Sequence, residues 1–450
     1  MRYLAAGLVA LALVGPSPAA APRLVSPHPC AEAAGFTCST LVVPLDHAGR
    51  VNGTMQLIVA VSDNKSARRG VLLFLTGGPG QPGLPSVQRI ALRLTAVMTE
   101  YRLVMFDQRG TGGTAITCRA LQDEVGVSDI ARPTPEAVRQ CAGSLGDRRG
   151  LYSTRDTVAD LDLLRQALGV RTWTVDGVSY GAFVAERYAV AHPQSVRALV
   201  LDSVLPHVDP RVDDALYLTG LRAQARVLRL ACARITCGFD PASDLAWLVR
   251  HGVDGVALFD AIVTFEFADP DYRNMLAVLH AARRGDRSDL DLTIGQMQQG
   301  RGAPSELFSS GLHAATLCAD FRFPWGTAAS VAQRRRLLAL RAEKLGERDV
   351  WPYTKATATG NGFIVTCLNW PAMPTVPSPP AGTRLPPVPT LLLSGDQDLS
   401  TPLEWAREEL RLAPRGKLVV VPGASHSIQN RETGEVGRKA VAAFLLGPQA

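Results

Sequence analysis

The sequence predicts an α/β fold: a mostly parallel sheet covered by helices, with a large helical segment inserted before its last strands. Two observations carry this. Over the first 204 residues, short apolar runs of strand length alternate with stretches of helical spacing, the pattern of a sheet buried on both faces. From about 205 to 387 helical periodicity dominates, as at 215–232, 274–284 and 330–344, and the alternation returns only at 390. One sheet interrupted by an insertion explains that return better than three sequential domains. The predicted layout is 1–21 as a signal segment, 22–204 and 388–450 as two parts of one core, and 205–387 as a mainly helical cap. No internal repeat or low-complexity tail is present.

The signal segment stands apart from the fold. Arg2 supplies a positive start, 4–14 is an apolar run, and 17–21 offers small residues for cleavage. Pro22 disfavours a cut immediately before it, and Cys30 lies too far downstream to be a lipid-modified cysteine there. No later run of about 18 uninterrupted apolar residues occurs. The expectation is a secreted or extracytoplasmic protein with no stable membrane insertion.

Within the core, 41–44 and 55–62 read as strands, with Asn52-Gly53 as a tight hairpin turn between them. Two short apolar runs follow, at 71–75 and 102–106, which stop at Gly77-Gly78-Pro79-Gly80 and at Asp107-Gln108-Arg109-Gly110. A helix is expected at 154–168, where Val158, Leu161, Leu164 and Leu168 share one side. A strand at 172–175 leads to a glycine-flanked serine, then to a helix ending at His192-Pro193 and a buried strand at 196–201. Past the Pro-rich connector 371–389 come a strand at 390–393, a helix at 402–412 and a strand at 417–421.

Composition narrows the class. Of 450 residues 46% are hydrophobic and 20% charged, too apolar for a disordered chain, and 40 Gly are too few for collagen. The net charge of +6 rests on 47 basic residues of which 5 are Lys; the arginines run from Arg2 to Arg438 without clustering. Nucleic-acid binding needs a gathered basic surface, so none is expected. The 8 cysteines all follow the signal segment, and an even number in an exported chain suggests disulfides. Nearness in the chain suggests Cys30–Cys38, Cys118–Cys141 and Cys232–Cys237, leaving Cys318–Cys367. No Cys-x-x-Cys or His-Glu-x-x-His occurs, so no metal site is expected.

The chemistry is expected at Gly177-Val178-Ser179-Tyr180-Gly181, a Gly-x-Ser-x-Gly between strand and helix. A sharp turn there lifts the serine hydroxyl off the sheet edge and aims the Tyr180 N–H at a developing oxyanion. Serine needs a base, and the base an orienting carboxylate. Asp396 and Asp398 follow the strand at 390–393, and His426 follows the strand at 417–421. All three positions therefore lie beyond the carboxyl ends of strands, the edge where open α/β sheets place their sites. The order Ser, Asp, His is that of the α/β-hydrolase fold. Gly78, after an earlier strand, is the expected second oxyanion donor.

With these landmarks the sequence resembles the α/β-hydrolase serine peptidases related to prolyl aminopeptidases and secreted actinobacterial tripeptidyl aminopeptidases. The matching residues are Gly77-Gly78-Pro79-Gly80, Asp107-Gln108-Arg109-Gly110-Thr111-Gly112, Ser179-Tyr180-Gly181, Gly395-x-x-Asp398-x-x-Thr401-Pro402 and Cys367-Leu368-Asn369-Trp370-Pro371. Cys30 and Cys38 before Val43-Pro44-Leu45-Asp46 complete the likeness, which covers essentially the whole mature chain. Thr76 and Thr114 depart from it, standing where relatives often carry His or Pro and Ser respectively. The resemblance implies Ser179 as nucleophile, His426 as base and Asp398, rather than Asp396, as the third member.

It also implies release of short peptides or single residues from free amino termini, without metal or organic cofactor. Thr401 and Pro402 would then start the next helix as cap and first-turn residue. Asp107 and Arg109 are expected to form a structural ion pair. A free amino terminus calls for a carboxylate. Glu266, Glu306 and Asp320 are candidates, with Asp320 preferred because Cys318-Ala319-Asp320 resembles a family segment. Phe265, Phe267, Phe321 and Trp325 are candidates for a pocket wall, though most are expected to be cap core. The same triad serves carboxylesterases and lipases, so a small ester is the alternative substrate, and a non-catalytic binding protein is the third reading. A monomer is expected.

Overall fold

The computed structural model describes residues 21–208, 216–269, 271–326, 328–373 and 376–448. Apart from Ala21, the expected signal segment lies outside them. The frame is a nine-stranded sheet formed by β1 (Leu24–Pro29), β2 (Phe36–Pro44), β3 (Thr54–Ser62), β4 (Val71–Leu75), β5 (Arg102–Phe106), β6 (Trp173–Val178), β7 (Val196–Asp202), β8 (Thr390–Gly395) and β9 (Gly416–Val421). Their spatial order is β1-β2-β3-β5-β4-β6-β7-β8-β9. The pairs from β1 to β5 run antiparallel, and β5 through β9 run parallel.

Every residue of β4, β6 and β8 is buried, which is why these strands read as unbroken apolar runs rather than alternating ones. Leu73, Val175, Leu199 and Leu392 pack on the helices Thr154–Ala167, Tyr180–Ala191 and Leu403–Leu412. Leu72, Phe74, Val200 and Leu391 pack on Val87–Arg93 and Val436–Leu446. Between β7 and β8 every described regular element is helical. These helices share a core, Leu221, Phe259, Leu276 and Ile364 among them, that also takes in Leu399 and Trp405 beyond β8. A further cluster joins Ile116, Leu121 and Val138, from the β5–β6 connection, to Leu312, Ala315 and Trp370.

The four cysteine pairs suggested by nearness are those present, with Cα separations from 4.9 to 5.2 Å. Cys318–Cys367 spans 49 residues and ties two insertion helices. On chain-entropy grounds a loop of that size is worth about 4 kcal/mol. No described helix is long and apolar enough to cross a membrane.

Three local expectations are corrected. Asn52-Gly53 is not a tight two-residue turn: β2 and β3 stop pairing at Pro44 and Thr54, and residues 45–53 form a longer loop. The Asp46 carboxylate organises it by accepting from the backbone N–H of Ala48 and Arg50, both at 2.9 Å. β1 was not anticipated, since Pro27 and Pro29 argue against a strand; it is an edge strand with an irregular register, where proline is tolerated. Arg109 does not pair with Asp107. Its guanidinium donates twice to Asp160, at 2.7 Å each, from the helix Thr154–Ala167. Asp107 instead accepts from the Leu84 N–H at 2.9 Å, and burial pushes its carboxyl up to about 6.

Candidate active site

Ser179 is the single residue between β6 and the helix Tyr180–Ala191, and its backbone is left-handed, at φ 59° and ψ −126°. Such a conformation costs a non-glycine residue about 1–3 kcal/mol and persists only where the surroundings impose it. Here they do. The Ser179 N–H donates to the Asp202 carbonyl of β7 at 2.8 Å. The flanking glycines allow strand and helix to approach: a Cβ on Gly177 would collide with the Gly181 carbonyl, and one on Gly181 with the Leu75 carbonyl of β4.

β8 and β9 deliver the other two groups. His426 Nδ1 lies 3.2 and 3.1 Å from the two Asp398 oxygens, and both side chains are buried. Asp398 also accepts from the Thr401 N–H and hydroxyl, at 2.7 Å each. The Thr401 hydroxyl is thus spent on the carboxylate and not on a helix end. The helix begins at Leu403 with Pro402 as its cap residue, correcting the expected start. Asp396 is engaged elsewhere, by Arg234 at 2.7 Å and the Gly423 N–H at 2.8 Å.

Burial, the largest single influence on His426, favours its neutral form, but the Asp398 carboxylate together with Glu266 outweighs it and raises its pKa above the usual 6.5. Among the described residues, Ser179 and His426 line one cavity without a direct hydrogen bond. In substrate-free enzymes that contact is commonly long and closes in the Michaelis complex.

Gly78 and Tyr180 flank Ser179 in this cavity, whose volume is about 440 Å³. Gly78 has φ 112°, open to glycine, and a Cβ there would come within 3.0 Å of the Gln81 nitrogen. Thr76, one of the two departures from the resemblance, bridges this loop through its hydroxyl to the Gln81 carbonyl at 3.0 Å. Thr114, the other, accepts from the Gly110 N–H at 3.2 Å and donates to the Thr111 carbonyl at 3.0 Å.

The three candidate carboxylates fall outside the cavity lining. Asp320 accepts from the Thr154 N–H at 2.8 Å and from its hydroxyl, and burial pushes it up to about 6. It lines a smaller neighbouring cavity with Arg187 and His207. Glu266 is buried against the loop that carries Asp398, where it accepts from Leu399 N–H at 2.9 Å and Ser400 N–H at 3.1 Å. Burial, then Asp398, pushes its carboxyl up to about 7. Glu306 does not line the cavity. Of the aromatic candidates Phe267 and Phe321 line it; Phe265 and Trp325 pack into the insertion core.

Sequence reasoning missed two groups. Asp202, buried at the end of β7, accepts from Ile428 N–H at 3.0 Å and Gln429 N–H at 2.8 Å, while the Ser203 hydroxyl accepts from Ser427 N–H at 2.7 Å. Together they hold the His426 loop beside Ser179. Their place at another strand end was the available signal. Asp129, in the β5–β6 connection, lines the cavity with its side chain 40% exposed. Its Oδ1 lies 2.7 Å from His313 Nε2. The neighbouring Asp260 is taken up by Ser128 and by Arg301 at 2.9 Å.

A family model described as alpha/beta hydrolase fold matches residues 70–432. The chain belongs to this family. It is 27% identical to "Serine protease Hip1" of Mycobacterium tuberculosis over 459 aligned residues, covering 92% of this chain and 85% of that one. It is 26% identical to "Tripeptidyl aminopeptidase" of Streptomyces coelicolor, covering 82% of this chain and 73% of the relative. A shorter match, 32% identical over 33% of this chain and 36% of the relative, is to "Probable proline iminopeptidase" of the same organism.

Proposed function

We propose that this protein is a secreted serine peptidase that releases short peptides or single residues from free peptide amino termini. The observation that carries this reading is that His426, backed by Asp398, faces the same cavity as the strained Ser179. Ser179 attacks the scissile carbonyl while His426 takes its proton, and Asp398 fixes the tautomer and stabilises the imidazolium. The N–H groups of Tyr180 and Gly78 receive the oxyanion. The peptide C–N bond breaks as His426 returns the proton to the leaving amine. Water, deprotonated by the same imidazole, then cleaves the acyl-enzyme. Residues 22–204 and 388–450 form the catalytic core and 205–387 the cap of a monomeric enzyme.

The names of the relatives support peptidase over esterase. So does Asp129, whose Oδ2 has no hydrogen-bond partner among the described residues and which we assign as the acceptor for the substrate ammonium. Asp320 and Glu266 are engaged by Thr154 and by residues 399–400. Hydrolysis of matched free and N-acetylated peptidyl amides, with short-chain esters alongside, tests the proposal. The free peptides are expected to turn over and the blocked ones hardly at all. Equal use of both, or turnover of esters alone, replaces this reading with the carboxylesterase or lipase one.

A further inference from the structure

On the proposed mechanism His426 divides the cavity. It returns the proton to the leaving amine, so side chains beyond it meet the released fragment, while the oxyanion loop holds the acyl half. Asp129, assigned to the substrate ammonium, is tied to that loop: its carboxylate lies 2.7 Å from His313 Nε2, and His313 Nδ1 lies 2.9 Å from the Pro79 carbonyl. On the other side the His426 ring meets Phe267 edge to face, with ring centroids 5.9 Å apart. The Arg431 guanidinium lies over the same Phe267 ring, 4.4 Å from its centroid.

Arg431 has a basic neighbour. Arg89, on the helix Val87–Arg93, also lines the cavity, and this helix packs against the turn Ile428–Arg431, where Arg93 donates to the Asn430 carbonyl at 3.3 Å. Both Arg89 and Arg431 are exposed residues of the cavity lining, so they stand where it opens to solvent. Neither has a carboxylate partner among the described residues. Arg89 donates to the Ser86 hydroxyl at 2.9 Å, and Arg431 has its contact with Phe267. The acids close by are engaged. Glu266, whose charge is felt at Arg431 as that of Arg89 is, accepts from the N–H groups of Leu399 and Ser400. Glu432 accepts from those of Gly437 and Arg438. Two like charges gathered at one rim repel, and an anion placed between them turns the repulsion into attraction.

We propose that Arg89 and Arg431 bind the terminal carboxylate of the leaving fragment, which makes short peptides free at both ends the substrate class. This deepens the aminopeptidase reading and rests on it. Asp129 takes the amino terminus of the acyl half, and the two arginines take the carboxyl terminus of the other half. The planar guanidinium suits this task because its donors match the two oxygens of a carboxylate. An extended residue spans about 3.5 Å, so a leaving fragment of one or two residues carries its carboxylate from the imidazole past Phe267 to the arginines. A longer fragment carries it beyond them.

The test follows the purified protein on short alanine peptides with free amino termini, each supplied as the C-terminal acid and as the C-terminal amide. For leaving fragments of one or two residues the acid should show a KM about 10- to 100-fold below that of the amide, the worth of a hydrogen bond between charged groups. The preference should shrink at high salt and fade as the leaving fragment lengthens. The double variant Arg89→Gln/Arg431→Gln should lose it, and Arg431→Glu should favour the amide. Equal KM values for acid and amide in the wild type overturn the carboxylate site and leave the aminopeptidase reading standing. An undiminished preference in the double variant overturns the assignment to these arginines. No turnover of either form removes the aminopeptidase reading, and this inference falls with it. The wild-type comparison stands even where a variant fails to fold.

Discussion

The cavity has one wall from the sheet edge and one from segments packed over it, and the two are held differently. On the sheet side Ser179, Asp398 and His426 each stand just beyond a parallel strand, and backbone hydrogen bonds, glycine contacts and the buried Asp202 fix their loops. On the other side Asp129, Phe267, Phe321 and Phe363 come from stretches far apart in the chain, held by side-chain packing and disulfides. On the proposed mechanism the first wall carries the reaction and the second the selection of substrate. Changes to the first should act on turnover of every substrate, and changes to the second on the choice among substrates.

The largest effect belongs to Ser179→Ala, which should remove turnover and labelling by a serine-directed phosphonate, a loss of order 10⁶-fold in kcat. Persistent labelling would place the nucleophile elsewhere. Asp398→Asn should lower kcat by about 10⁴-fold through the wrong imidazole tautomer. Asp396→Asn, which severs only the contacts to Arg234 and Gly423, should stay within about tenfold of wild type. The reverse ranking would exchange the roles of these two aspartates.

A change in the opposite wall should look different. Asp129→Asn should raise KM for free peptides by about 10- to 100-fold, the worth of a hydrogen bond to a charged group, and leave short esters unaffected. An equal loss on both substrates would make Asp129 part of the general architecture rather than a selector.

The smallest effect lies between the walls, where Glu266 reaches from the insertion to the acid loop. His426 must be neutral to act as base, and its pKa lies above 6.5, so kcat/KM should fall as the pH drops through a midpoint above that value. Glu266 is negative above about pH 7 and helps to hold the imidazolium. Glu266→Gln should therefore move the acid limb downward in the pH profile; an upward shift would rule out a direct charge effect on the base.

Much of the reactive wall was legible before any coordinates. Gly177 and Gly181 are demanded by local contact between strand, turn and helix, and a short motif carries local geometry. The fully buried strands likewise show as apolar runs because no face of them meets water. Legibility failed where a side chain's partner lies far along the chain. Arg109 found Asp160 instead of its neighbour Asp107, and Thr401 turned to Asp398 instead of its own helix. Asp129 carried no motif at all, since a single carboxylate gains its position only from the packing of the β5–β6 connection against the insertion.

The sequence by itself determined the fold class and which strand ends bear the serine, aspartate and histidine, and it suggested the cysteine pairs that the structure then fixed, because periodicity and chain order encode short-range physics. Only the tertiary structure decided which carboxylates face the cavity, what holds the histidine loop, and that Arg89 and Arg431 line the same cavity. Those are relations between residues hundreds of positions apart, and their proximity is a property of packing rather than of spacing.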